Sequence, residues 1–440
     1  MDLIRFAFIA IAIGVAVISG AGQAHAEDSE RMSPSEVVIT WYRLSLELVR
    51  HTPTYSPPVA SRAFGYVGVT AFEAIASGSD DLTSLAGQVN GLDALPAREE
   101  GADYDDAVVV QAATAHAIKS LFSNTGPTGQ RAFGAMERRL AERAATGLAH
   151  DIVQRSTAHG IAVADHILAW SLEDGGAIIE NMGFPQSYDL TEGPAHWVPT
   201  SLVAQQQSPL LPDWGNNRPF AMPEGGTCGL PPPPEYSEEP DSEFYREAYE
   251  VYEAKTNLTP EHRDIALFWS DDPMLSPTPP GHWISIAIQI LQDNQAGIDE
   301  TVDVLARLGM GMADAFIGCW HAKFEYDLVR PITYIRRVID PKWEPLLNTP
   351  PFPEYPSGHS TQSGTAAAIL TAIFGDNFAF EDITHVDDGL AGRHFANFHE
   401  AAEEAALSRL YGGIHFRAAI DLGLEQGHCI AAYITALKTR

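Results

Sequence analysis

Residues 299–331 read DETVDVLARLGMGMADAFIGCWHAKFEYDLVRP. Val302, Leu305, Gly309, Met312, Phe316 and Cys319 recur at steps of three and four, which is one face of a core-packing helix. The next position on that face is Lys323, with Trp320 sharing it one turn earlier. An ammonium on an apolar stripe either snorkels out at the helix end or is held inside by an anion. Seven residues later Arg330-Pro331 completes the spacing Lys-x6-Arg-Pro. The proline prevents Arg330 from continuing a regular helix, so its guanidinium sits where the chain turns.

The same helical texture extends outward along all 440 residues. Apolar residues three and four apart predict helices near 35–51, 58–77, 104–122, 128–145 and 149–174, and again near 241–254, 260–270, 281–295, 299–326, 360–375, 398–411 and 416–437. Between the two groups, Pro185, Pro194, Pro199, Pro209, Pro212, Pro219, Pro223 and the run Pro231 to Pro234 exclude long helices. Trp197, Leu210, Leu211, Trp214 and Phe220 are spread through that stretch and predict an ordered connector laid over the protein. Alternating β-branched runs are scarce. The expectation is an all-α protein with an N-terminal helical bundle over 27–175, a Pro-rich connector over 176–240 and a C-terminal bundle over 241–440.

Charge narrows the function. With 27 Lys+Arg against 58 Asp+Glu the net charge is −31, which excludes a general nucleic-acid binder and electrostatic docking on anionic lipid. Arg5, an apolar run from Phe6 to about Ile18, and Ala24-His25-Ala26 predict a signal peptide over 1–26. Cleavage near Glu27 would leave a periplasmic or secreted protein with no membrane-spanning segment. Cys228, Cys319 and Cys429 lack zinc-site spacing; one pair can be oxidised, and the sequence does not say which.

Two further motifs extend the theme of cations on apolar faces. Pro356-Ser357-Gly358-His359 precedes an apolar helix, where free backbone N–H groups, a small glycine and a hydroxyl make an anion cradle. Alone, that serine would be an ordinary N-cap. Ser408-Arg409 is followed after five residues by His415, and Arg409 shares a helix face with Ala402 and Ala405. Together Lys323, Arg330, Arg409, the Gly358 N–H and the Ser357 hydroxyl can converge on one tetrahedral or trigonal oxyanion. An acidic chain that directs three of its few cations inward is building an anion site. Gly358 to Gln362 lacks the second glycine of a nucleophile elbow. His399-Glu400 lacks a second histidine for zinc, and the Asp271-Asp272 and Asp387-Asp388 pairs read as solvated or capping carboxylates.

The ordered triplet resembles the superfamily that joins type 2 phosphatidic acid phosphatases, bacterial acid phosphatases and vanadium-dependent haloperoxidases, over about 320–420. The signal and the two-part helical layout are similar to the exported bacterial haloperoxidase-like members. The resemblance implies two packed helical bundles of the vanadium chloroperoxidase type and vanadate as cofactor. It assigns Lys323, Arg330, Ser357, Gly358 and Arg409 to the equatorial oxygens, and His359 to acid–base work on the apical side. His415 would be the apical ligand to vanadium or a phosphoryl-accepting nucleophile. Trp320 and Phe352 match apolar positions on the halide side of fungal chloroperoxidase-like enzymes, with simple packing as the competing reading. The family's aspartate four residues after the last histidine is Ala419 here, and Asp421 lies off that face, so His415 is expected to lack a carboxylate partner. That lack should harm a nucleophile more than a metal ligand. Asp272 is a candidate acid behind the site. The function implied is oxidation of halide by hydrogen peroxide to hypohalous acid, which halogenates a small organic substrate. The alternatives are an exported acid phosphatase working through a phosphohistidine at His415, and a catalytically silent anion binder.

Overall fold

A computed structural model describes residues 31–440; the predicted signal peptide lies outside the described residues. Thirteen α-helices and one two-stranded sheet are present among them. Helix α1 (Pro34–Arg50) starts at Ser33, whose hydroxyl accepts from the Glu36 N–H while the Glu36 carboxylate accepts from the Ser33 N–H. Helices α2 (Pro57–Ala76), α3 (Asp106–Leu121), α4 (Pro127–Ala144) and α5 (His150–Ser171) complete the first group. The second group is α6 (Glu243–Thr256), α7 (Pro260–Phe268), α8 (Thr278–Asp293), α9 (Ile298–Tyr326), α10 (Pro331–Val338), α11 (Gly358–Phe374), α12 (Phe398–Tyr411) and α13 (Arg417–Thr435).

Two helix pairs position the site, and small residues make both possible. Helix α9 lies on α2 so closely that a Cβ at Gly309 would stand 2.8 Å from the Phe64 carbonyl oxygen. This pair joins the N-terminal and C-terminal groups, and the apolar core runs through both without a break. Helix α11 meets α13 just as tightly, since a Cβ at Gly427 would stand 2.3 Å from the Thr361 carbonyl oxygen. The start of α11 is thereby held against the end of α9.

Residues 172–242 contain three short 3-10 turns and no longer helix, as the prolines require. The connector is fastened to the core. The buried Asp314 carboxylate accepts from the N–H groups of Phe220, Ala221 and Met222 at 2.5, 2.9 and 3.0 Å. A Cys228–Cys429 disulfide ties it to α13, leaving Cys319 reduced and buried. Two features are absent from the sequence-based expectation: the eight-residue α10, and the antiparallel pair β1 (Phe380–Asp382) and β2 (Arg393–Phe395). Both are too short for periodicity to register. No helix among the described residues is long and apolar enough to cross a membrane.

Candidate oxyanion site

Three chain segments bring the predicted cations together. Lys323, in the last turn of α9, is fully buried and does not snorkel. Its Nζ donates to the carbonyls of Pro353, Glu354 and Pro356, at 3.0, 2.9 and 2.5 Å. Burial pushes its pKa down to about 7, with Arg330 adding to the shift. Arg330 is the N-cap residue of α10, because Pro331 fixes the first helical position. Its Nε donates to the Phe352 carbonyl at 2.8 Å and its Nη1 to the Ile414 carbonyl at 2.9 Å. Arg409, in the last turn of α12, donates to the Ser408 hydroxyl and the Trp269 carbonyl. Burial lowers both arginines to about 10, which leaves them charged at neutral pH.

Ser357 is the N-cap of α11; its hydroxyl accepts from the Ser360 N–H, and its own N–H donates to the Ala419 carbonyl. The helix start therefore opens toward the cations with Gly358 and His359 at its first two positions. His359 keeps 17% of its side chain exposed, whereas Arg409 is 2% and His415 3% exposed.

His415 follows α12, and its tautomer is fixed by its neighbours. Arg330 Nη1 lies 3.2 Å from His415 Nε2, and a guanidinium can only donate, so Nε2 carries the lone pair. Nδ1 therefore carries the proton, which it donates to Glu354 Oε1 at 2.8 Å. The Phe416 N–H donates to the same oxygen. Burial, with Arg330, Lys323, Arg409 and His359 behind it, holds His415 well below the ordinary histidine pKa and hence neutral. Burial and Arg409 do the same to His359. The expectation that His415 lacks a carboxylate partner is thus corrected: Glu354 takes the place of the missing aspartate from a different segment. Only the carboxylate within Phe352-Pro353-Glu354-Tyr355-Pro356 hinted at this, being a lone charge among apolar residues.

Several polar atoms around the α11 start have no hydrogen-bond partner among the described residues: Arg330 Nη2, His359 Nε2, Ser360 Oγ and Glu354 Oε2. Each such buried atom costs about 1–3 kcal/mol. The unspent Arg330 Nη2 donor beside Lys323 and Arg409, with the lone pair of His415 Nε2, is the chemistry of a site for a tetrahedral oxyanion bonded to one histidine. The residues present fit vanadate or phosphate. Phe352 walls one side. It lies between Lys323 Nζ and the Arg330 guanidinium, 5.1 and 5.0 Å from its ring centroid, and packs on Trp320 at 4.9 Å.

Behind His359 lies a group the sequence analysis misjudged. Asp271 is buried, not solvated, with Oδ2 4.0 Å from His359 Nε2. Its carboxylate faces His282 and His385, and Asp388 pairs with His385 and with Arg50. The expected Asp272 is half-buried; both it and Asp271 lie within the field of Arg409, and Asp271 also lies near the histidine.

Comparison with known proteins agrees with this geometry. A family model for the second helical-bundle domain of vanadium chloroperoxidase matches residues 303–342 and 337–440. The vanadium chloroperoxidase of Curvularia inaequalis is 25% identical over 223 residues, which span 37% of each chain. The crystal structure of a bacterial vanadium-dependent chloroperoxidase in its holo form shares the fold, with a TM-score of 0.64 and 17% identity over 96% of this chain and 95% of that one. The crystal structure of a bacterial vanadium-dependent iodoperoxidase aligns with a TM-score of 0.84 and 36% identity, over 92% of this chain and 97% of that one. With that identity sustained along nearly the whole of both chains, this chain belongs to the vanadium-dependent haloperoxidase family.

Proposed function

We propose that the protein is a vanadate-dependent haloperoxidase that oxidises halide with hydrogen peroxide, giving hypohalous acid or an equivalent electrophile for a small organic substrate. The observation that carries the reading is the neutral His415 with its lone pair on Nε2, set by Arg330 on one side and Glu354 on the other. Nε2 would ligate vanadium, and Lys323, Arg330, Ser357, Gly358 and Arg409 would hold the oxyanion. Bound vanadate supplies a Lewis acid that activates peroxide without changing its own oxidation state. His359, neutral and with an unspent Nε2, accepts a proton from the entering peroxide and returns it to the departing oxygen. Lys323, whose protonated form a bound oxyanion favours, aims positive charge where negative charge develops. Trp320 and Phe352 exclude water from the halide side.

The argument from a missing carboxylate against a phosphohistidine no longer applies, because Glu354 supplies one. The haloperoxidase reading is favoured over a phosphatase by the family and by the aromatic wall, which leaves little for an ester leaving group to bind. The segment over 1–26 and the Cys228–Cys429 disulfide support an extracytoplasmic location. Apoprotein assayed with and without orthovanadate decides the matter. Peroxide-dependent halogenation should need vanadate and be lost in His415→Ala together with vanadate retention. Hydrolysis of p-nitrophenyl phosphate without vanadate, and no halide oxidation with it, would overturn the proposal.

A further inference from the structure

Asp271, His282 and His385 each present one ligand-type atom to a common point, all within 4.8 Å of one another, and all three residues are buried. His282 Nδ1 lies 3.1 and 3.0 Å from the two Asp271 oxygens, and His385 Nε2 lies 3.2 Å from Oδ1. The outward nitrogens are held by other carboxylates: His282 Nε2 by Asp382 at 2.7 Å, and His385 Nδ1 by Asp388 at 3.0 Å. We propose that Asp271, His282 and His385 form a second metal site, for a divalent cation of the zinc class, separate from the oxyanion site.

Three observations support it. First, the outward pairings are the arrangement that orients metal-binding imidazoles. A carboxylate takes the outer N–H, which leaves the inner nitrogen as a lone pair directed at the metal. Second, two inward lone pairs facing a carboxylate repel it unless protons or one cation lie between them, and the spacing accommodates the cation. The inward separations are 3.0–3.2 Å, and the outward contacts are 2.7 Å for His282 and 3.0 Å for His385. Two atoms bound at about 2.0–2.1 Å to one tetrahedral ion stand about 3.3 Å apart, close to the inward distances. Third, charge closes. Asp271, Asp382 and Asp388 carry three negative charges and Arg50 bonds Asp388; one dication with both imidazoles neutral balances the remainder, as two protonated imidazoles do, so binding the cation would release both protons.

Two nitrogens and one carboxylate oxygen suit zinc or cobalt better than magnesium or calcium, which prefer all-oxygen shells. Three protein ligands leave one position open. His359 Nε2, which has no hydrogen-bond partner among the described residues, lies 4.0 Å from Asp271 Oδ2. The cation would thus anchor the β1–β2 hairpin, which bears Asp382 and leads into His385, to the loop before α8 and to the back of the acid–base histidine. No zinc spacing marks these residues in the chain, because they come from a loop, a helix and a hairpin turn.

The test is elemental analysis of the full-length protein, purified after growth with zinc and without added vanadate, alongside His385→Gln and Asp388→Asn. The expected result is close to one zinc per chain. His385→Gln should lose it with an unchanged far-ultraviolet spectrum. Asp388→Asn, altered at a partly exposed residue, should weaken it by about 10- to 100-fold. Replacement by cobalt should give the visible bands of a four- or five-coordinate nitrogen–oxygen site. Zinc far below one per chain, with no rise in Tm on zinc addition, would overturn the proposal and leave the group as an ion-paired pair of protonated histidines. Zinc retained in full by His385→Gln would place the metal elsewhere and overturn it equally. Vanadium is read separately in the same measurement, so failure here leaves the oxyanion site unaffected.

Discussion

His415 Nδ1 lies 2.8 Å from Glu354 Oε1, across 61 residues of chain. The partner comes from the loop before α11 because the helix after His415 offers none: Ala419 is buried in an apolar cluster and its carbonyl accepts the Ser357 N–H. The same Glu354 oxygen also takes the Phe416 N–H, so one carboxylate fixes both the imidazole and the backbone that carries it.

Glu354→Gln removes the ionisable acid while keeping the shape. Vanadate affinity should fall by about 10- to 100-fold, as for other groups that orient a metal-binding histidine. Glu354→Ala should fall further, since it strands the His415 Nδ1–H and the Phe416 N–H. Equilibrium dialysis against vanadate, with near-ultraviolet dichroism as the check on folding, measures both. Undiminished affinity in the glutamine variant would remove Glu354 from this role.

His359→Ala should separate turnover from binding. In the proposed function the residue would face the exchanging oxygen, whereas Arg330, Arg409 and the α11 start would hold the rest of the anion. Turnover should drop by roughly 10²- to 10⁴-fold, with vanadate affinity kept within about tenfold. Equal losses in both would make the residue structural.

Asp314→Ala tests how the connector is fastened. The carboxylate is fully buried and accepts three consecutive N–H groups, each costing about 1–3 kcal/mol if left unpaired. The variant should lower Tm by several degrees and open residues 172–242 to limited proteolysis. Wild-type resistance would show that the Cys228–Cys429 bridge and apolar packing suffice.

The all-helical architecture and the cationic half of the site were legible because both rest on local patterns. A cation placed on an apolar face, as at Lys323 and Arg409, declares itself by helical step, and Pro331 and Ser357 fix where their helices begin. The acidic half was not legible. Glu354 and Asp271 lie in loops with no period, and their roles depend on partners 61 and 11 or more residues away. The adjacent pair Asp271-Asp272 also conceals a difference in depth, since Asp271 is buried against two histidines while Asp272 is half-buried, both in the field of Arg409. Only the tertiary arrangement assigns them.

Phe352→His examines the halide side. The ring is flanked by Lys323 and Arg330, so an imidazole there would be held neutral by two cations and would act as a hydrogen-bonding wall. The expected result is a shift of halide preference toward bromide with vanadate affinity little changed, measured as kcat/KM for each halide. Trp320→Ala should chiefly weaken chloride use. An unchanged halide ratio in both variants would mean that the two rings serve packing alone.

The pH dependence of anion binding follows from Lys323, whose pKa burial lowers to about 7. Below that value the empty site carries the ammonium; above it the charge is lost, so affinity for an oxyanion should fall as pH rises. Sulfate, whose own charge is fixed across this range, is the suitable probe. Its affinity for the apoprotein should be level on the acid side and decline by up to about tenfold per pH unit above pH 7, the limit for one linked proton. Glu354, raised to about 8 by burial, adds a negative charge at still higher pH and steepens the decline. His359 and His415 are pushed well below the ordinary histidine range and leave this window clear. Lys323→Met should bind sulfate more weakly at acid pH and show no decline until Glu354 ionises. The same proton acts with the opposite sign on stability. The unfolded chain holds it up to about pH 10.4, so this group makes the empty protein more stable as pH rises from 7 toward that value. Titration calorimetry and urea unfolding of wild type and Lys323→Met read both effects, and an unaltered binding slope through pH 7 in the variant would assign the proton to another group.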